Sequence, residues 1–139
     1  MDKTLPDAGP ARRPRRRRSL GAAVLCAALL GNLLDEGRLL LDAVARRDRQ
    51  AVFGSASAVE RLVEHLAGMR DSALAMPAEE RATMPDIDWQ AWENLSLHVA
   101  GPPRERWERV WRAVAELVPA TVAAAHGYQA PPDEGPPSA

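Results

Sequence analysis

The sequence predicts an all-α protein, an antiparallel bundle of four to five helices. Apolar residues recur at three- and four-residue spacing along four segments, and no segment alternates with period two. Glycine and proline separate these segments, as they do at helix ends. Aromatic residues make up only 4% of the 139 residues, while Ala, Leu and Arg are abundant, a composition that favours helix over strand. A chain of this length folds as one domain with one core.

The first helix is expected over residues 20–47, with Ser19 as its N-cap. Its early part is apolar on nearly every side, so we expect it to be deeply buried or to lie at a subunit contact. Cys26 lies in this part and is expected to be a small core residue. The later part carries a single apolar stripe, formed by Leu33, Leu34, Gly37, Leu40, Leu41 and Val44.

A second helix is expected over residues 55–74, after the break at Gly54 and Ser55. Met76-Pro77 ends it, because the residue before a proline avoids the helical region. A short helical turn is expected over residues 78–82.

Two more helices follow. Asp88 is a suitable N-cap for a third helix over residues 89–99, which Gly101-Pro102-Pro103 would end. A fourth helix is expected over residues 104–126, with a kink at Pro119 because proline removes a backbone donor and clashes with the preceding turn.

Both ends of the chain are predicted to be disordered tails flanking a helical domain of residues 20–126. Residues 1–19 hold Lys3 and six arginines against two aspartates, a charge of +5, which leaves −6 for the rest of a chain of net charge −1. Such a basic arm indicates nucleic acid or a membrane surface, or it is simply a solvated tail. Residues 127–139 contain four prolines and two glycines and are expected to form a second tail.

A targeting segment is the alternative interpretation of the first apolar run. The order of a basic run and an apolar run, Arg15–Arg18 followed by Leu20–Leu34, is similar to the start of a signal peptide, and the paired arginines resemble those of twin-arginine signals. However, the run contains Asn32, continues as a helix through Asp35 and Glu36, and at fifteen residues is short for a membrane span. We therefore expect a cytoplasmic protein with no membrane partner.

The most informative segment is residues 84–100, MPDIDWQAWENLSLHVA. It resembles the entry to the active-site helix of the HepT-like ribonucleases of the HEPN superfamily, in which Pro-Asp-Ile-Pro-Trp precedes a helix with Arg-(four residues)-His-x-Tyr. The lead-in is present, and Asn94 and His98 stand in the helix. The family's arginine falls on Glu93 and its tyrosine on Ala100.

The resemblance extends over roughly residues 28–124. The family's further marks are a Phe near the end of the leading helix, an Ala-Val pair, an Ala-Gly pair, and a final helix with Trp near its start and Pro near its middle. These places are taken in order by Phe53, Ala58-Val59, Ala67-Gly68, Trp111 and Pro119. The resemblance thus implies a helical fold of this family with a degenerate active-site motif.

The resemblance also implies a chemistry, a set of site residues and partners. In the family, RNA is cut without metal in a cleft between two protomers, and histidine suits the proton transfer while arginine clamps the phosphate. The corresponding residues here are His98, Asn94 and Glu93, with Arg104 and Arg106 as candidate RNA contacts that could supply a cation. A homodimer, RNA and a nucleotidyltransferase antitoxin are the implied partners.

Two functions from different classes stay open. One is a catalytically weak or inactive member of a toxin–antitoxin system that acts through dimerisation and binding of a partner or RNA. The other is an active ribonuclease toxin, in which Arg104 or Arg106 replaces the missing cation. A carboxylate at Glu93 repels phosphate, which favours the first, and Glu93→Arg is then expected to raise activity or RNA affinity. Ala100 cannot accept adenylate, the modification that the antitoxin makes at the tyrosine in several family members.

Other motifs add no chemistry to these two functions. Trp89 and Trp92 could stack on a base, but packing is the expected use. The sequence has no glycine-rich phosphate loop and no His, Cys and carboxylate spacing typical of a metal site, so no cofactor or metal is expected.

Overall fold

The computed structural model describes residues 20–45, 47–97 and 103–129, and the regular elements within these ranges are all helical. The prediction of an all-α protein is therefore confirmed for the described part of the chain. A π-helical segment, Ala113–Leu117, joins the last two α-helices. The α-helices are α1 (Leu20–Ala45), α2 (Arg49–Phe53), α3 (Ala56–Ala75), α4 (Ala78–Ala82), α5 (Trp89–Asn94), α6 (Pro103–Arg112) and α7 (Val118–Gln129).

Helix α1 packs mainly against α3 and α7, and the core lies along these contacts. The apolar stripe predicted for its later part faces inward, with Leu33 and Leu40 fully buried. Gly37 is the point of closest approach: a Cβ atom there would lie 2.4 Å from Val122 Cγ2 and 3.1 Å from Met69 Cε. The buried residues that meet α1 include Leu62, Leu66, Met69, Val118 and Ala125.

The beginning of α1 is exposed in the single chain. The relative exposure is 81% for Leu20, 60% for Val24 and 46% for Leu25. Burial within the chain, one of the two expectations for this part, is therefore wrong. The fifteen-residue apolar run also forms part of a 26-residue helix that, by length and composition only, could cross a membrane.

Helix α2 was not predicted from the sequence, in which residues 48–53 were assigned to no element between the first helix and the break at Gly54 and Ser55. Its five residues are too few for a periodic signal, and a side-chain cap stabilises it instead. The backbone N–H of Ala51 donates to Asp48 Oδ1 at 2.7 Å. At its end Phe53 stacks on Trp107 and meets Trp111 edge-on, with ring centroids 5.7 Å apart in both pairs.

The third predicted helix is shorter than expected. Helix α5 ends at Asn94, and Leu95 has extended backbone at φ −72° and ψ 123°. The described chain then continues to Leu97 without helix, so the prediction of a helix through residue 99 is wrong at 95–97. Residues His98 and Ala100 lie outside the described residues.

The fourth predicted helix forms, with its distortion spread over a π turn. Val118 N–H donates to the carbonyl of Ala113, five residues back rather than four. The extra residue lies directly before Pro119, whose ring would clash with the carbonyl four residues earlier in a regular α-helix. Helix α7 then continues to Gln129, three residues beyond the predicted boundary. Of the tail predicted at 127–139, residues 127–129 belong to α7, and residues 130–139 lie outside the described residues, as does the tail predicted at 1–19.

Candidate functional site

The segment that carries the family resemblance lies against the C-terminal half of α3. Between them is a groove of about 430 Å³. It brings two of the predicted site residues, Glu93 and Asn94, together at one surface. Its lining is Ala67, Arg70, Asp71, Glu93, Asn94, Leu95, Ser96 and Leu97.

The lead-in holds α5 in place through buried contacts. Asp88 caps the helix by accepting the N–H of Ala91 at 3.0 Å, and Ile87 is 2% exposed. Trp92 is fully buried, and its indole N–H donates to Thr121 Oγ1 at 3.0 Å. Trp92 therefore packs in the core, where no RNA base can reach it. Trp89 is half-buried, and its indole N–H donates to the carbonyl of Met84.

Glu93, at the family's arginine position, forms an ion pair with Arg81. Arg81 Nη1 lies 2.5 Å from Glu93 Oε2, and the two side chains are 20% and 41% exposed. The guanidinium also lies over the ring of Trp89, 5.5 Å from the centroid. The negative charge of Glu93 is thus offset within the fold.

Arg81 has a second role, at the C-terminal end of α3. Its guanidinium donates to the carbonyls of Ala73 at 3.1 Å, Leu74 at 3.4 Å and Met76 at 3.1 Å. The last carbonyls of a helix have no partner within the helix, and a cation there also suits the helix dipole. Glu93 therefore orients an arginine that links α3, α4 and α5.

Asn94 is exposed and borders a second groove, of about 370 Å³, between α5 and the α6–π junction. Its side-chain oxygen accepts from Gln90 Nε2 at 3.3 Å. Arg109 and Arg112 line this groove together with Glu116. Asn94 is therefore accessible from both grooves, with one local hydrogen bond of its own.

Two arginines hold the loop that leads into His98. Arg70 Nε donates to the carbonyl of Leu95 at 2.9 Å, and Arg106 Nε donates to the carbonyl of Leu97 at 3.1 Å. Leu97 is the residue before His98, so the guanidinium of Arg106 lies beside the peptide that leads into the histidine. Arg106 also lies over Trp107, 5.0 Å from the ring centroid.

Arg70 is a site residue that the sequence analysis missed. In sequence it is one charged residue on a helix face that otherwise looks solvated. Its proximity to Glu93 and Asn94 follows only from the packing of α3 on α5, and no local pattern carries that signal.

Arg104 lies elsewhere. It is exposed and lines a groove of about 540 Å³ with Arg49, Gln50, Phe53, Trp107 and Glu108. Glu108 in that groove is ion-paired with Arg49 at 3.3 Å. Of the two candidate RNA contacts, Arg106 lies at the loop and Arg104 lines a separate groove.

The remaining polar pairs are between helices. His65 Nδ1 and Glu36 Oε1 form a pair between α3 and α1, and Arg38 donates to Nδ1 of His126 at 3.1 Å. Among the described residues, no three His, Cys, Asp or Glu side chains are grouped so that they could hold a metal ion.

Comparison of the chain with protein-family models, with curated proteins and with solved structures finds no match in any of the three.

Proposed function

We propose that this chain is a HepT-like protein of HEPN fold from a toxin–antitoxin-type system that has lost RNA cleavage and acts by binding. It forms a homodimer in the cytoplasm and engages RNA or a partner, with a nucleotidyltransferase antitoxin as the partner that the resemblance implies. The support is the order of family marks along the chain together with the state of residue 93.

The observation that carries the proposal is the ion pair of Glu93 with Arg81. In the family this position supplies the cation that clamps the phosphate. Here it supplies an anion, and that anion is held by an arginine that is already bonded to two carbonyls of α3 and to the carbonyl of Met76, which caps it. Arg81 is therefore not free to take over the phosphate, because moving its guanidinium would break the three carbonyl hydrogen bonds as well as the ion pair.

The proposal is tested by measuring mass, RNA binding and RNA cleavage on one preparation of the full chain. We expect a homodimer by light scattering at micromolar concentration. A labelled single-stranded RNA should not be cleaved in the presence of EDTA, whether or not the protein binds it. A strictly monomeric mass contradicts the dimer, and shortening of the RNA contradicts the loss of cleavage.

One observation favours the active ribonuclease as a second candidate. The hydrogen bond from Arg106 Nε to Leu97 leaves the two terminal nitrogens of that guanidinium available, one residue from His98 in sequence. An arginine that keeps two guanidinium nitrogens available, bonded to the residue before a histidine, supplies the two residue types that a metal-free phosphate site needs.

Arg104 provides the matched control for this second candidate, because it is two residues away and lines a different groove. If the chain is an active ribonuclease, Arg106→Gln abolishes cleavage and Arg104→Gln leaves it intact. Equal loss in both variants would assign the arginines to general RNA attraction. Absence of cleavage in the wild-type protein rejects the candidate.

A further inference from the structure

Five of the first nine residues of α1 form an apolar face directed away from the core. The exposed residues of this face are Leu20, Val24, Leu25, Ala27 and Ala28, and we call them the outer face. Leu20 and Leu29 are nine residues apart, as are Val24 and Leu33, which places about 180° between the members of each pair around the helix. Leu29 and Leu33 are buried, so α1 is apolar on both sides here.

The outer face ends within the same helix. Asn32 and Asp35 are exposed on the side of α1 away from the core, whereas residues 20–34 contain no charged residue. At about 1.5 Å per residue the outer face is roughly 13 Å long. That length is less than half of a hydrocarbon core of about 30 Å, so the outer face suits the surface of a bilayer and not a span.

A whole-helix span conflicts with the fold. Part of the core is formed by buried residues of α1, namely Leu33, Leu34, Gly37 and Leu40. They lie where α1 packs against α3 and α7. Inserting α1 across a membrane would remove them from the core. Contact through the outer face leaves all of them in place.

The sequence directly before the outer face is strongly basic. Six of the seven residues from Arg12 to Arg18 are arginine, and only Ser19 separates them from Leu20. Anionic lipid headgroups attract such a run, and adjacent apolar side chains enter the headgroup and acyl boundary. A second copy of the chain would cover the outer face, but residues 20–34 contain no acidic residue, so the matching stretch of its α1 offers the arginine run no counter-charge. An anionic bilayer accounts for both features.

We propose that the outer face of α1 and the arginine run together bind the surface of a membrane that contains anionic lipid. The helix lies in the plane of the interface, with Leu20, Val24 and Leu25 in the acyl boundary and the arginines among the headgroups. This binding is independent of the proposed loss of cleavage. It places the protein at the cytoplasmic face of a membrane, in contrast to the expectation of no membrane partner.

Sedimentation of the full chain with vesicles tests the proposal. We expect binding to vesicles of phosphatidylcholine mixed with phosphatidylglycerol, little binding to phosphatidylcholine alone, and release by high salt because the headgroup attraction is screened. Retention at high salt would indicate insertion of the helix and overturn the interfacial arrangement. Failure to bind the anionic vesicles would overturn the proposal outright.

Two sets of variants separate the contribution of the apolar outer face to vesicle binding from that of the arginine run. Leu20→Asn with Val24→Asn should lower binding by at least about ten-fold, since two large apolar contacts are lost. Arg16→Gln, Arg17→Gln and Arg18→Gln together should lower it by roughly 100-fold on anionic vesicles. Circular dichroism and thermal unfolding of the variants check that the fold is retained, as expected for Leu20 and Val24, which are 81% and 60% exposed.

Leu39→Asn is the matched control. Leu39 is 55% exposed on the same helix but lies beyond the outer face, between Asp35 and Asp42. It should leave vesicle binding unchanged, and an equal loss in this variant would overturn the assignment to the outer face. If light scattering instead shows a dimer that Leu20→Asn with Val24→Asn converts to monomer, a second copy covers the outer face and the proposal is wrong.

Discussion

At the scale of single residues, the meaning of position 93 depends on its neighbour. In the sequence Glu93 is an anion where the HepT-like ribonucleases that this segment resembles have a cation, and the simplest expectation is repulsion of phosphate. In the fold Arg81 offsets that charge by forming an ion pair with Glu93. The same ion pair holds the guanidinium of Arg81 against the carbonyls at the end of α3. The exchange Glu93→Arg is therefore also expected to destabilise the fold, because it places two cations side by side.

Arg81→Lys is expected to lower the free energy of unfolding by about 1–3 kcal/mol, because a lysine cannot reach three carbonyls and a carboxylate with one planar fork. Glu93→Gln should cost less, about 1 kcal/mol, since it removes one partly exposed ion pair. Urea unfolding monitored by tryptophan fluorescence measures both. A larger loss for Glu93→Gln than for Arg81→Lys would contradict the assigned role of Arg81.

Thr121→Val is expected to lower the free energy of unfolding by about 1–3 kcal/mol, because it leaves the buried indole N–H of Trp92 without an acceptor. Thr121→Ser keeps the hydroxyl and serves as the control, with a smaller loss. Equal stability of the valine variant and the wild-type protein in urea would show that this hydrogen bond contributes nothing.

At the scale of elements, the close packing of helices around α1 depends on a glycine, Gly37, because any side chain at this position would collide with its neighbours. The Cα of Gly37 lies where α3 and α7 both approach α1, and a methyl group there has no room beside Val122. Glycine in a helix costs about 1 kcal/mol in propensity relative to alanine, so its presence indicates that close packing outweighs propensity at this position.

Gly37→Ala is expected to destabilise the fold by about 1–3 kcal/mol through overpacking, partly offset by helix propensity. Gly127→Ala is the control: a Cβ atom there meets nothing within 4 Å, so the same exchange should be neutral or slightly stabilising. Combining Gly37→Ala with Val122→Ala should recover part of the loss. A stabilising effect of Gly37→Ala alone in thermal unfolding would contradict the close approach.

At the scale of the whole molecule, the positions of the long helices can be predicted from the sequence more accurately than the contacts between helices. The long periodic stripes of α1 and α3 predict their bounds to within a few residues, because each stripe covers several turns. Helix α2 could not be predicted, because it is too short for a periodic signal and depends on the cap at Asp48. The extended backbone at Leu95 could not be predicted either, because Arg70, a residue distant in sequence, bonds its carbonyl. The link between Arg106 and the loop before His98 likewise exists only once α6 is placed against α5.

The most direct test of the central claim is RNA cleavage by the wild-type chain compared with His98→Ala, without metal, over a range of enzyme concentrations. The account predicts no cleavage above the level of the alanine variant, because an ion-paired carboxylate stands at the position where the HepT-like ribonucleases that this chain resembles carry a cation. Robust cleavage by the wild-type chain that disappears in His98→Ala would contradict it, and Arg106→Gln against Arg104→Gln would then show which arginine supplies the missing cation.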